Sequence, residues 1–466
     1  MRYVSTRGQA PALGFCDAVL AGLARDGGLY VPESWPQFTA EEMHNFANRH
    51  YEDVALAVIS RFVGDEIPAQ ILKTMVKEAY QSFNHPSITP LVELEPGHFV
   101  LELWHGPTLA FKDVAMQFLA RVMDYILGER GQRATIIGAT SGDTGSAAIE
   151  AFKGRANTDI FILHPKGRTS AVQRRQMTTV SDANVHNIAL EGTFDDCQAI
   201  VKDLFADHAF TDAAKLSGVN SINWGRIVAQ IVYYFTSAIA LGAPHRPVTF
   251  CVPTGNFGDI FAGYCAKKMG LPIEKLIVAT NSNDILRRAI KVGRYDKRGV
   301  IPTASPSMDI EVSSNFERLL FEALDRDGEK TAALFSGLKQ SGGFAIPGVA
   351  LETIRSDFGA GMADETATSN IIRDVYAHSS YLIDPHTAVG VAVGRGFNFG
   401  HTPIITLSTA HPAKFPEAVE AATGVHPALP SRLGDLNNRE ERFTVLANDA
   451  SAVEDFIRAK TRAWED

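Results

Sequence analysis

The period of the apolar positions changes near residue 96. Before it, the stretches 40–47, 51–62 and 68–82 space their apolar side chains three and four apart, which predicts helices with one buried face. A short strand is expected at the end of Gly27-Gly28-Leu29-Tyr30-Val31-Pro32, after a glycine turn. Beyond 96, short apolar runs alternate with helical patterns. Residues 134–138, 159–164 and 185–190 read as strands, and 194–205 and 224–241 as helices. A second alternation opens at Pro247: strands over 248–252 and 275–280 flank a helix over 260–269, and a further strand covers 403–407. Strands separated by helices predict parallel sheets. The expected fold is therefore α/β, with two doubly wound lobes of mostly parallel sheet over 96–242 and 243–466. A mainly helical N-terminal domain is expected over 1–95.

Composition narrows the class. A chain of 466 residues exceeds what one small core organises. Its 44 basic and 53 acidic residues give a net charge of −9, which argues against nucleic acid or an anionic membrane as a partner. No apolar run has the length of a membrane span. The apolar stretch near the N-terminus is interrupted by Asp17, unlike a secretory signal. A cytoplasmic protein is expected. Cys16, Cys197, Cys251 and Cys265 are widely spaced and form no metal-binding pattern, so they read as reduced, buried thiols.

In doubly wound sheets, ligands sit at the carboxyl ends of the strands. Attention therefore falls on the loops after Gly138, Val252 and Leu407, and on the segment Leu103-Trp104-His105-Gly106-Pro107-Thr108-Leu109-Ala110-Phe111-Lys112-Asp113. Lys112 opens a helical pattern that Gly128 is expected to end. A cation at a helix N-terminus opposes the helix dipole, whereas Asp113 suits it. A reason to keep Lys112 there is that it is neutral, bonded as an imine to a carbonyl cofactor. Thr254-Gly255-Asn256-Phe257-Gly258-Asp259 joins a strand to a helix and can cradle a phosphate on its backbone amides, or form a ligand-free turn. Thr140-Ser141-Gly142-Asp143-Thr144-Gly145 has the same setting and more hydroxyls than a helix cap requires, which favours a carboxylate ligand. Lys166, Arg168 and Ser170 follow a strand end, and Asn220-Ser221-Ile222-Asn223-Trp224-Gly225-Arg226 opens a helix; together they could hold a second phosphate. Arg174 and Arg175 read as surface charge. His386 and His411 read as structural, having no second ligand at metal spacing. The glycines of 394–400 have the wrong spacing for a dinucleotide site.

This ordered set resembles the fold type II pyridoxal-phosphate enzymes, the tryptophan synthase β group. Within it, His105-Gly106-Pro107-Thr108 with Ala110-Phe111-Lys112-Asp113, the loops 140–145 and 255–259, and Thr409-Ala410-His411-Pro412-Ala413-Lys414-Phe415 are similar to threonine synthases. So are Ser5-Thr6-Arg7-Gly8, the stretch 22–32, and Asn220-Ser221-Ile222-Asn223 with Arg226. The resemblance spans nearly the whole chain and points to the longer branch, which has an extra N-terminal domain.

The resemblance implies pyridoxal 5′-phosphate as cofactor on Lys112, the Schiff-base lysine, desolvated beside Trp104 and Phe111. It implies O-phospho-L-homoserine as substrate, with γ-elimination and then addition of water at Cβ giving L-threonine and phosphate. Gly255, Asn256, Phe257, Gly258 and Asp259 are the expected cofactor-phosphate residues. Thr409 is the expected partner of the ring nitrogen, with Ser408 as the alternative. Asp143 stands where many fold type II enzymes carry an Asn against the ring hydroxyl. Thr140, Ser141 and Thr144 are expected to hold the substrate carboxylate, and Lys166, Arg168, Asn223 and Arg226 its phosphate. No metal is expected, and the assembly is expected to be a monomer or homodimer. The rivals are a serine/threonine dehydratase or another fold type II lyase, and a phosphate-binding protein without imine chemistry.

Overall fold

Strands with predominantly apolar sequences, such as Thr158–Pro165 and Val248–Pro253, are buried at every position, as expected of parallel sheet covered on both faces. The computed structural model describes residues 1–464. A six-stranded sheet has the order Phe358–Met362, Ile273–Thr280, Val248–Pro253, Ile404–Ser408, His98–Glu102 and Leu91–Glu95. Its pairs are parallel except the last, which is antiparallel. A five-stranded parallel sheet has the order Thr444–Ala447, Val185–Glu191, Thr158–Pro165, Ala134–Ala139 and Leu216–Ser217. The fold class is the one the hydrophobic pattern predicts.

The sheets are not contiguous along the chain as the division at 96 and 242 expects. Strand His98–Glu102 lies beside Ile404–Ser408 in the sheet of the C-terminal half, and Thr444–Ala447 joins the sheet of the middle segment. Thr444–Ala447 completes an edge, whereas His98–Glu102 lies between Ile404–Ser408 and the edge strand Leu91–Glu95, and pairing across hundreds of residues leaves no mark in a strand's own sequence. Residues 1–95 are mainly helical, with Tyr51–Val63 and Ala69–Tyr80 the longest helices. Their apolar faces share one continuous core with the helices Lys112–Glu129 and Trp224–Ala240. All four cysteines are buried and free. Among the described residues no helix is long and apolar enough to cross a membrane.

Trp224 joins the N-terminal segment to the rest. Its ring lies 5.7 Å from Tyr3, 5.8 Å from Phe62 and 6.3 Å from Trp35, with the Arg318 guanidinium over it at 5.6 Å. Asn223, just before it, caps the same helix: its Oδ1 accepts from Gly225 N at 2.9 Å, and its Nδ2 donates to Val19 O at 2.8 Å. Asn223, expected at the substrate phosphate, thus serves as a cap, because a buried helix start needs its free amides satisfied. Replacing Trp224 with Ala is expected to cost about 3–5 kcal/mol by opening a cavity among these rings. Asn223→Ala is expected to cost about 1–2 kcal/mol. Urea unfolding measures both, and a loss below 0.5 kcal/mol (roughly the noise of a neutral surface change) for either would contradict the assigned role.

Candidate active site

The segment before Lys112 is a tight turn built around a buried carboxylate. Asp113 Oδ2 accepts from Thr108 N at 2.8 Å and Oδ1 from Thr108 Oγ1 at 2.7 Å. A Cβ at Gly106 would stand 2.5 Å from the Cβ of Asp113, so only glycine closes this turn. Burial pushes the Asp113 carboxyl up to about 6 despite the Thr108 bonds. The turn then runs beside the end of strand Ile404–Ser408. Leu103 N donates to Ser408 O at 3.0 Å and Phe111 N to Thr409 O at 2.9 Å. Lys112 is the first residue of the helix Lys112–Glu129, so the turn delivers its side chain to Asp143, just after strand Ala134–Ala139, and to Ser307.

Lys112 is buried, with Nζ 4.9 Å from the centre of the Phe111 ring. Trp104, expected beside Lys112, stacks on His105 at 4.3 Å and donates to Ser408 Oγ at 3.0 Å. Lys112 Nζ lies 3.4 Å from Asp143 Oδ2 and 3.4 Å from Ser307 Oγ. Asp143, however, is claimed more closely by Lys414, whose Nζ is 2.8 Å from its Oδ1. Gln173 Nε2 donates to the same oxygen at 2.9 Å. Burial opposes the charge on Asp143, but Lys414 and Lys112 overcome it and hold the carboxyl well below its ordinary range. For Lys112 the balance goes the other way. Burial is the largest effect, Asp143 opposes it, and Lys414 and Arg226 add repulsion; the ammonium is disfavoured. A buried lysine poised toward its neutral form can act as a nucleophile and base.

The glycine loop lies across from it, between strand Val248–Pro253 and helix Gly258–Lys268. A Cβ at Gly255 would meet Ser307 O at 2.7 Å, so the loop backbone sits against the same turn that touches Lys112. Phe257 takes a left-handed conformation (φ +63°), which turns the chain into the helix and leaves the first helical amides without intrahelical acceptors. Those amides can receive a phosphate. The side chains of this loop face elsewhere. The Phe257 ring packs on Phe316 and Phe358, 5.3 and 5.7 Å away. Asp259 accepts from the hydroxyls of Tyr233 and Tyr234, and burial pushes its carboxyl up to about 6. From Phe257 and Asp259, then, the site receives backbone amides only.

At the end of strand Ile404–Ser408 the two hydroxyl candidates separate. Ser408 Oγ accepts from Trp104 and lies 3.1 Å from Thr387 Oγ1. The Thr409 hydroxyl has no partner among the described residues, although the residue is buried. A similar division runs through 140–145. Thr140 Oγ1 accepts from Gly142 N and Gly145 N, both at 2.9 Å, so it builds the loop while its O–H remains able to donate. Ser141 is exposed and Thr144 half-buried, at the start of helix Asp143–Phe152.

The expected phosphate residues divide too. Arg226 is buried, donates one Nη1 bond to Val219 O at 3.1 Å, and leaves its Nε unpaired; burial pushes its guanidinium down to about 10. Lys166 and Arg168 are exposed at the end of strand Thr158–Pro165, and Lys166 is 3.1 Å from Glu191. Arg174 and Arg175, read as free surface charge, both pair with Glu441, at 2.8 and 3.4 Å, and tie the C-terminal segment down. No group of His, Cys, Asp and Glu among the described residues could hold a metal ion.

Three residues around Lys112 were given no role in the sequence reading: Ser307, Lys414 and Gln173. Lys414 had a signal, because it follows the strand end at 408 within a segment already singled out. Ser307 and Gln173 had none, since they come from a turn and a helix whose position depends on packing.

Three family models match the chain in succession: threonine synthase N terminus over residues 2–80, pyridoxal-phosphate dependent enzyme over 83–336, and threonine synthase, C-terminal, over 387–457. A threonine synthase of Pseudomonas aeruginosa is 54% identical over 459 residues, covering 98% of each chain. That of Methylobacillus glycogenes is 42% identical, covering 98% of this chain and 99% of its own. Among solved structures, the PLP-bound threonine synthase from Brucella melitensis has a TM-score of 0.98 at 61% identity, covering 99% of this chain and 100% of that one. The threonine synthase from yeast has a TM-score of 0.94 at 41% identity, covering 98% of each chain. A threonine deaminase from Solanum lycopersicum reaches a TM-score of 0.51 at 14% identity, which is a likeness of fold alone. The lysine at the crevice, the phosphate-ready loop and these matches agree: the chain belongs to the threonine synthase family of pyridoxal-phosphate-dependent enzymes.

Proposed function

We propose that the chain converts O-phospho-L-homoserine and water into L-threonine and phosphate, with pyridoxal 5′-phosphate held on Lys112. The observation that carries this reading is a buried lysine whose nearest carboxylate is already bound to a second lysine. The residues fit the cofactor. Gly255 to Gly258 and the amides behind them would seat its phosphate, and the free Thr409 hydroxyl would meet its ring nitrogen. Asp143, fixed by Lys414, would lie at its ring hydroxyl. When bound, the cofactor supplies the electron sink for charge developing on the substrate carbons.

The chain's own groups do the rest. Lys112 Nζ, disfavoured as an ammonium, would take the proton from Cα and carry protons to and from the neighbouring carbons. Ser141, Thr144 and the N-terminus of helix Asp143–Phe152 would hold the substrate carboxylate. Arg226, with its unpaired Nε, and Lys166 and Arg168 at the rim would hold the phosphate as it leaves Cγ. Asn223 and Thr140 support these residues as helix cap and loop staple.

We further propose a cytoplasmic protein acting on this small metabolite as a monomer or homodimer, since four free, buried thiols suit a reducing compartment. The proposed organisation keeps an N-terminal helical part (1–95) and two lobes (96–242 and 243–466), with one strand exchanged in each direction. Closure of the lobes over the substrate would exclude water until it is needed.

Incubating the holoenzyme with O-phosphohomoserine is expected to release threonine and inorganic phosphate in equal amounts. Release of 2-oxobutyrate without threonine would move the assignment to a dehydratase. Lys112→Ala is expected to lower turnover by at least about a thousandfold with the fold intact by circular dichroism; retained turnover would sink the role given to Lys112. Lys414→Met removes a cation that repels Lys112 and competes for Asp143, so the Lys112 ammonium becomes more favourable. The acid limb of the kcat profile, where Lys112 must be neutral, should then move to higher pH, and Lys414→Arg should leave it in place. A limb that stays put in Lys414→Met would show that Lys414 does not set the charge of Lys112.

A further inference from the structure

The turn that brings Ser307 to Lys112 is anchored more heavily than a surface loop requires. Asp309 Oδ1 accepts from Asn281 Nδ2 at 2.8 Å, Asn283 Nδ2 at 2.9 Å and Thr303 Oγ1 at 2.7 Å, and its Oδ2 accepts from Thr303 N at 2.8 Å. Asn281 and Asn283 are buried and follow strand Ile273–Thr280, so the turn is fixed to the sheet itself. Within it, Pro306–Met308 makes a single 3-10 turn with Ser307 at its centre.

Ser307 is gripped a second time from the opposite side. Its amide donates to His386 Nε2 at 3.2 Å. An amide N–H can only donate, so Nε2 carries the lone pair and the ring proton is on Nδ1. That proton faces Asp384 Oδ2, 2.7 Å away. Asp384 also accepts from the amide and hydroxyl of Thr387 and from the amide of His386, so its carboxylate is fully engaged. His386 is only 3% exposed and packs on the Phe415 ring at 4.8 Å. The imidazole therefore has one tautomer and one orientation.

What this chain delivers is the Ser307 hydroxyl. It lies 3.4 Å from Lys112 Nζ and 3.3 Å from Asp143 Oδ2, closing a triangle with the Lys112–Asp143 contact. A neutral amine has two N–H groups and one lone pair. Asp143 Oδ2 and Ser307 Oγ provide one acceptor for each N–H, and the lone pair is then aimed away from both. Burial, together with the charged groups Asp143, Lys414 and Arg226 around the amine, sets its protonation. None of these three charges by itself fixes its rotation.

We propose that Asp384, His386 and Ser307 form a positioning chain that aims the Lys112 amine. Ser307 fixes the direction of its lone pair, and His386 holds Ser307. The proposal deepens the reading above, since it takes Lys112 as the residue that carries the cofactor and moves the protons.

The test compares the holoenzyme with Ser307→Ala, His386→Leu and His386→Gln. For Ser307→Ala and His386→Leu, kcat is expected to fall roughly ten- to hundredfold through misdirection of the amine. KM for O-phosphohomoserine should stay within about twofold, because the substrate's binding groups are untouched. The visible circular dichroism of the bound cofactor should weaken in both. His386→Gln keeps an acceptor for the Ser307 amide and should recover most of kcat. Should His386→Leu fail to fold, Ser307→Ala decides, as it removes one hydroxyl only. A kcat for Ser307→Ala within about twofold of the parent, or equal losses in the Gln and Leu variants, would overturn the proposal. Borohydride trapping separates the two levels: an adduct on Lys112 in the parent and in every variant leaves the cofactor assignment standing, and its absence from the parent would remove it.

Discussion

One buried carboxylate shared by two buried lysines is the constraint around which the site is built. At an effective dielectric near 20, opposite charges about 4 Å apart attract by about 4 kcal/mol. Burying one ammonium costs several kcal/mol. A single carboxylate can therefore sustain about one buried cation, not two. Lys414 Nζ is 2.8 Å from Asp143 and Lys112 Nζ is 3.4 Å from it, so Lys414 has the stronger claim. Lys112 also stands at a helix N-terminus, where the dipole opposes its charge. Against the weaker contact to Asp143 and the Phe111 ring 4.9 Å away, burial, the helix dipole and the repulsion from Lys414 and Arg226 push it toward the neutral amine.

The same contacts fix the geometry. Lys414 Nζ also donates to Thr108 O at 2.8 Å, inside the turn that presents Lys112. Moving Lys414 would disturb both the charge of Asp143 and the shape of that turn. The turn is paired to the segment after the next strand through Phe111 N and Thr409 O, with a further bridge between Ala110 and Ala410. Lys112 and Thr409 are thus held on adjacent backbones. Their separation is set by hydrogen-bonded main chain, and does not depend on flexible side chains.

Much of this was legible in the sequence because it is local. Strands buried on both faces are continuous apolar runs, and the loops at their carboxyl ends follow directly. The helix start at Lys112, the glycine loop and the hydroxyl-rich loop were readable for that reason. The exchange of strands His98–Glu102 and Thr444–Ala447 between the sheets was not, because pairing partners are chosen by packing over long distances. Nor was Ser307. Its position comes from Asp309, Asn281 and Asn283 acting together, and these lie in a segment with no distinctive period.

Several polar residues expected to meet ligands already have a use in the fold. Asn, Ser, Thr and Asp serve helix caps and tight turns as readily as they serve ligands, since both tasks satisfy free backbone or charged groups. In each of these stretches, hydrogen-bonded and unpartnered polar groups fall on neighbouring residues. Thr140 staples its loop, and Ser141 and Thr144 stay free. Asn223 caps its helix, and Arg226 keeps an unpaired Nε. Ser408 is tied to Trp104, and Thr409 keeps its hydroxyl. Asp259 is taken by two tyrosines, and the amides around it stay open. A polar residue at a strand end becomes informative about ligands only after the hydrogen bonds of the turn itself have been assigned, because a donor or acceptor already used by the backbone has nothing left to offer.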